Sequence, residues 1–127
     1  MKFYYNGTLM RTSKTHEYHF AILGEDDKLW SCHSTLEAAQ KEFRRPIAER
    51  ESSIEDCRKA IEAIENGRLY FDTKVCRRWY RVSLKGKNLD GKLRSDANTW
   101  REDIEMYRSS IEKLTKTRRI VELEMRA

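Results

Sequence analysis

The chain has 127 residues, 39% hydrophobic and 37% charged, and a formal net charge of +5. That length fits one core in a single domain over 1–127 and excludes large multidomain enzymes; the composition is too polar for a membrane protein and too rich in apolar residues for a disordered one. The longest apolar run, Phe20-Ala21-Ile22-Leu23, is far short of the roughly 20 residues that cross a bilayer, and the opening residues lack a secretory h-region, so a cytoplasmic protein is expected.

The first third reads as strands. Phe3-Tyr4-Tyr5 is followed by Asn6-Gly7, the dipeptide best suited to a type I′ hairpin turn, and then by Thr8-Leu9-Met10-Arg11-Thr12. His16 to Leu23 is aromatic and apolar, Gly24-Glu25-Asp26-Asp27-Lys28 is turn material, and Leu29 to His33 resumes strand composition. Short connections of this kind predict one small antiparallel sheet. Ser34-Thr35-Leu36-Glu37 has the form of a capping box, with Ser34 as the cap of a helix. Leu36, Phe43, Ile47, Ile54, Cys57, Ile61 and Ile64 then form a stripe at helical spacing, and Asn66-Gly67 supplies a stop. Pro46 falls inside this run and predicts one kinked helix or two abutting ones.

Leu69-Tyr70-Phe71 and Val75 to Leu84 have the proportions of a second hairpin around Asp72-Thr73-Lys74, and Gly86, Asn88, Asp90 and Gly91 read as a loop. Ser95 or Asp96 can cap a second long helix, whose Ala97, Trp100, Ile104, Tyr107, Ile111 and Leu114 keep strict 3-4 spacing. Such a seam predicts packing on another helix, in the same chain or in a second copy, and two such stripes predict at least a dimer. Ile120 to Met125 alternates with period 2 and reads as a closing strand. The fold class expected is α+β: a small antiparallel sheet with two long helices, the first kinked at Pro46, and a homo-oligomer formed through the helix seams.

The charge is local. Arg68 to Arg94 holds nine basic and two acidic residues, a net +7 that exceeds the +5 of the whole chain. A segment of this kind attracts phosphates or carboxylates. Within it, strand alternation over 75–84 places Arg77, Trp79 and Arg81 on one face: a ring between two guanidinium groups, able to stack a base while forking onto phosphate oxygens. A solvated edge strand would have a similar composition. Arg11-Thr12-Ser13-Lys14-Thr15-His16 is a second concentration of phosphate-capable groups, placed where the chain bends between strands and able to form an anion nest with backbone N–H groups.

Other chemistries find less support. His16, His19, Cys32 and His33 invite a zinc site, but an extended strand turns His16 and His19 to opposite faces. Cys32, Cys57 and Cys76, at intervals of 25 and 19, match neither a disulfide framework nor a CxxC motif, which favours reduced, buried thiols. GxSxG, HExxH and a P-loop are all absent from the sequence, so neither an enzyme nor a cofactor is expected.

The opening Tyr4-Tyr5-Asn6-Gly7-x-Leu9-Met10-Arg11-Thr12-Ser13-Lys14-Thr15-His16-x-Tyr18 and the closing Arg119-Ile120-Val121-Glu122-Leu123-Glu124 resemble small proteins of phages and mobile elements. They are most similar to the anti-defence sponges that counter the Thoeris system, which sequester a cyclic nucleotide signal without destroying it. The resemblance implies an oligomer built on the helices, with ligand pockets lined by arginine and aromatic residues. It also implies a phosphate site at Arg11, Thr12 and Ser13, with Arg118 or Arg119 as a C-terminal ligand arginine. The expected function is therefore a phage-type anti-defence protein that binds a cyclic nucleotide or cyclic ADP-ribose-type signal in an infected bacterial host, with no membrane partner. The alternative is an anti-CRISPR-type inhibitor that docks its basic 68–94 segment on a nuclease effector or its guide nucleic acid.

Overall fold

The computed structural model describes the backbone of residues 1–65, 70–72, 79–81 and 89–127, and the side chains of those outside 63–96. The protein is α+β, with two long helices and small antiparallel sheets. It divides into two compact units, Met1–Ile47 with Glu112–Ala127, and Ala48–Ile111.

The first unit holds the terminal strands. β1 (Lys2–Tyr5) and β2 (Thr8–Thr12) form the predicted hairpin, with Asn6 at φ 49° and Gly7 at φ 81°, the paired positive angles that a type I′ turn demands. Phe3 pairs with Arg11 and Tyr4 with Leu9, so Met10 is left over as a bulge. β3 (Phe20–Leu23) is buried along most of its length and carries Ala21, Ile22 and Leu23 into the core. A single 3-10 turn (Glu25–Asp27) with Asp26 and Asp27 at positive φ leads into β4 (Leu29–His33).

The closing strand is two strands. β7 (Arg119–Glu122) pairs antiparallel with β3, and β8 (Glu124–Arg126) pairs antiparallel with β1. The unit therefore contains two three-stranded sheets, ordered β2-β1-β8 and β4-β3-β7, where composition had suggested one. The changeover falls at Leu123, whose N–H donates to the His19 carbonyl at 2.8 Å instead of to either ladder.

α1 (Leu36–Glu65) is a single helix with Pro46 inside it. Its cap is Thr35, not Ser34: the Thr35 hydroxyl accepts from the Ala38 N–H at 3.1 Å, while the Ser34 hydroxyl donates to the Glu17 carbonyl at 2.7 Å. The expected stop at Asn66-Gly67 lies outside the described residues. α2 (Leu89–Thr117) begins before the predicted caps Ser95 and Asp96 and takes Asp90 and Gly91, expected in a loop, into its first turns.

In the second unit the two helical stripes meet each other. Ile54, Cys57 and Ala60 of α1 pack with Ala97, Trp100 and Ile104 of α2, flanked by Ile61, Tyr107 and Ile111. The 3-4 seam is thus satisfied within the chain. β5 (Tyr70–Asp72) and β6 (Trp79–Arg81) form a two-stranded ladder in which Asp72, expected in the turn, pairs with Trp79.

Candidate functional site

The register of the first hairpin decides where Arg11 goes. Opposite Phe3, it shares the face of a ring that is fully buried. Tyr18 meets Phe3 edge-on at 5.4 Å, the Arg11 guanidinium lies over the Tyr18 ring at 4.9 Å, and His16 stacks on Tyr18 at 6.0 Å with 14° between planes. Arg11 also reaches Cys32. Burial pushes that thiol up, and the charge and hydrogen bond of Arg11 pull it part of the way back. The result is a partly exposed patch offering a guanidinium, the Tyr18 ring and an imidazole, backed by the buried Phe3 ring.

The bend after Arg11 is closed by its own hydroxyl. The Ser13 Oγ accepts from the Thr15 N–H at 3.4 Å and the His16 N–H at 2.9 Å, and the Ser13 N–H donates to the Met1 carbonyl at 3.0 Å. These amides are occupied by the protein itself. An anion arriving here would meet the side chains of Arg11, Thr12 and Lys14, not the amide nest that the composition suggested.

Arg118 and Arg119, adjacent in sequence, have opposite fates. Arg118 is only 4% exposed, with its guanidinium between the Trp30 ring at 4.7 Å and the Phe43 ring at 4.4 Å. Its Nε donates to the Leu114 carbonyl, one of the last carbonyls of α2, and its Nη2 to the Phe43 carbonyl of α1. Arg119 is half-exposed and ion-paired to Asp27, with the Tyr5 ring 5.8 Å away; the Tyr5 hydroxyl and the Asp27 carboxylate hold its guanidinium above its usual pKa. Arg126 repeats the theme over Tyr4 at 4.6 Å and beside Glu124.

Four arginines of the first unit thus make five ring contacts. All five lie within the roughly 6 Å at which a guanidinium is attracted to a ring face. Arg11, Thr12, Ser13, Arg118 and Arg119 all belong to it. The basic ribbon does not: Trp79 and Arg81 lie in β6, in the second unit, and Arg77 lies outside the described residues. Tyr18, Trp30, Phe43, Tyr5 and Tyr4, the ring partners, were not singled out from the sequence as site residues; the tyrosines among the first 18 residues hinted at three of them, and nothing local marked Trp30 or Phe43.

Two imidazoles are bonded to hydroxyls, His16 Nδ1 to Thr15 at 3.0 Å and His33 Nε2 to Ser31 at 2.8 Å. Among the described residues no group of three or more His, Cys, Asp or Glu is placed to hold a metal ion, and no described helix is long and apolar enough to cross a membrane. Neither Cys32 nor Cys57 is in a disulfide. No family model matches the chain, and neither a curated protein nor a solved structure matches it.

Proposed function

We propose that the protein binds a phosphorylated small molecule of the cyclic nucleotide or cyclic ADP-ribose type and retains it unreacted, as a phage-type anti-defence sponge. The observation that carries this reading is the concentration of guanidinium–ring pairs in the first unit, because each pair joins the two chemistries a nucleotide requires: a fork for phosphate oxygens and a face for a base. Within this reading Arg11 and Arg119, both solvent-accessible, take the phosphates, with Thr12 beside Arg11. Arg118 supports the fold around them. Arg77, Trp79 and Arg81 remain the second candidate surface.

Retention without cleavage is part of the proposal; the Ser13 hydroxyl accepts from two amides and holds the bend closed. Homo-oligomerisation belongs to the proposal too, through surfaces other than the α1–α2 seam, which is filled within the chain.

The test is native mass spectrometry of protein purified from phage-challenged cells, followed by heat release. The proposal expects an oligomer carrying a small nucleotide that leaves chemically intact, and an Arg11→Met variant that carries less of it with an unchanged melting temperature. Protein that is free of nucleotide, unmoved in melting temperature by cyclic nucleotides, and bound to RNA with steep salt dependence would instead favour the inhibitor reading through 68–94.

A further inference from the structure

Trp30 is the residue left over by the irregularity between β3 and β4. Ile22 pairs with Ser31 and Leu23 with Leu29, so Trp30 has no cross-strand partner. Such bulges re-aim a side chain that regular alternation would place elsewhere. One face of the indole lies on the Arg118 guanidinium at 4.7 Å, yet 47% of the residue remains exposed.

What lies behind the ring is fixed. Arg118 is held by the Phe43 ring and by two backbone carbonyls from different helices. The indole therefore has little freedom to lose when something settles on it, which is the condition for stacking to yield affinity. A cation behind the ring also draws π density toward itself. The outward face is left electron-poor and complementary to an electron-rich heteroaromatic ring.

We infer that the outer face of Trp30 is a stacking platform for a purine base, with Arg119 as the cation that meets the attached phosphate. Arg119, the first residue of β7, follows Arg118 directly, and its ion-pair partner Asp27 stands three residues before Trp30, so one segment of the platform carries the exposed guanidinium and the other carries the carboxylate that holds it. The inference rests on the nucleotide reading above and assigns its base subsite.

Calorimetry on the full chain with AMP, GMP and ribose 5-phosphate tests it. The purine nucleotides should bind about tenfold or more tighter than ribose 5-phosphate, as one base stacked on an aromatic side chain allows. Trp30→Leu, which keeps an apolar cover on Arg118, should erase that preference and leave ribose 5-phosphate binding unchanged; if Trp30→Leu does not fold, Trp30→Phe should reduce the preference without changing ribose 5-phosphate binding. Equal binding of AMP and ribose 5-phosphate by the wild type, or a purine preference that survives both substitutions, overturns the platform while the nucleotide reading stands. If none of the three binds, the platform fails as a purine nucleotide subsite, while the nucleotide reading stands or falls by the heat-release mass spectrum.

Discussion

The two units solve the same packing problem with different chemistry. In the second, α1 and α2 meet through Ile54, Cys57, Ala60, Ala97, Trp100 and Ile104, an apolar cluster drawn from two 3-4 stripes. In the first, the same two helices are joined near Phe43 and Leu114 by a guanidinium, and the surrounding strands carry three more arginines over rings. The apolar seam is non-directional and tolerant of sequence. The guanidinium junction is directional: its Nε donates to one of the last carbonyls of α2 and its Nη2 to the Phe43 carbonyl of α1, just ahead of Pro46. A unit built in the second way places polar, ligand-capable groups at fixed positions, which is why the candidate chemistry gathers in the first.

The largest expected effect lies in the apolar seam. Trp100 is 8% exposed, and Trp100→Ala should cost about 3–5 kcal/mol by chemical denaturation. Arg118→Leu should follow at about 2–4 kcal/mol, since it removes two part-buried hydrogen bonds and two ring contacts while preserving most of the volume. If Arg118→Leu were neutral or stabilising, the guanidinium would be replaceable by an apolar residue and the contrast between the units would dissolve. Arg118→Lys, which keeps the charge but loses the planar fork, should fall between leucine and wild type.

A smaller effect sharpens the contrast at the start of α1. Thr35→Ala should lose about 1 kcal/mol, because its hydroxyl accepts from the Ala38 N–H at the open end of the helix. Ser34→Ala should lose less, since the Ser34 hydroxyl donates to an exposed strand connection. The reverse order in melting curves would restore the capping box that the sequence suggests.

Local signals were legible where local chemistry decides. Asn6-Gly7 specifies its turn, the 3-4 stripes specify helices, and the seam of α2 specified a helical partner, found in the same chain. Long-range contacts were not legible. Ser34 and Thr35 are equivalent as caps until the Glu17 carbonyl takes one of them. Val121 to Met125 alternates without interruption, so nothing in its composition marks Leu123 as the point where the chain leaves one sheet for another. Gly91 lowers local helix propensity, yet α2 extends through it. Arg118 and Arg119 are indistinguishable in sequence; Trp30 and Phe43 separate them from far along the chain. The guanidinium–ring pairs of the site are long-range for the same reason.

The smallest effect concerns acid. Among the described residues two carboxyls lie below the usual carboxylate range, Glu42 through the Arg45 guanidinium and Glu112 through the Lys116 ammonium, and both belong to the first unit. A carboxyl whose pKa is lower folded than unfolded contributes stability that is present above the unfolded value, about 4.3, and lost as pH falls through the folded one. Acidification should therefore loosen the first unit before the apolar seam of the second, where Ile54, Cys57 and Trp100 carry no charge. Amide hydrogen exchange, corrected for the intrinsic rate, should show protection falling at Ala21, Ile22 and Leu23 while Cys57 and Ala60 hold. Glu42→Gln should flatten that acid limb by a modest amount, since the carboxylate is partly solvated and its partner arginine half-exposed. Equal loss of protection in both units would mean that they unfold as one cooperative body, and the chemical division between them would then have no counterpart in stability.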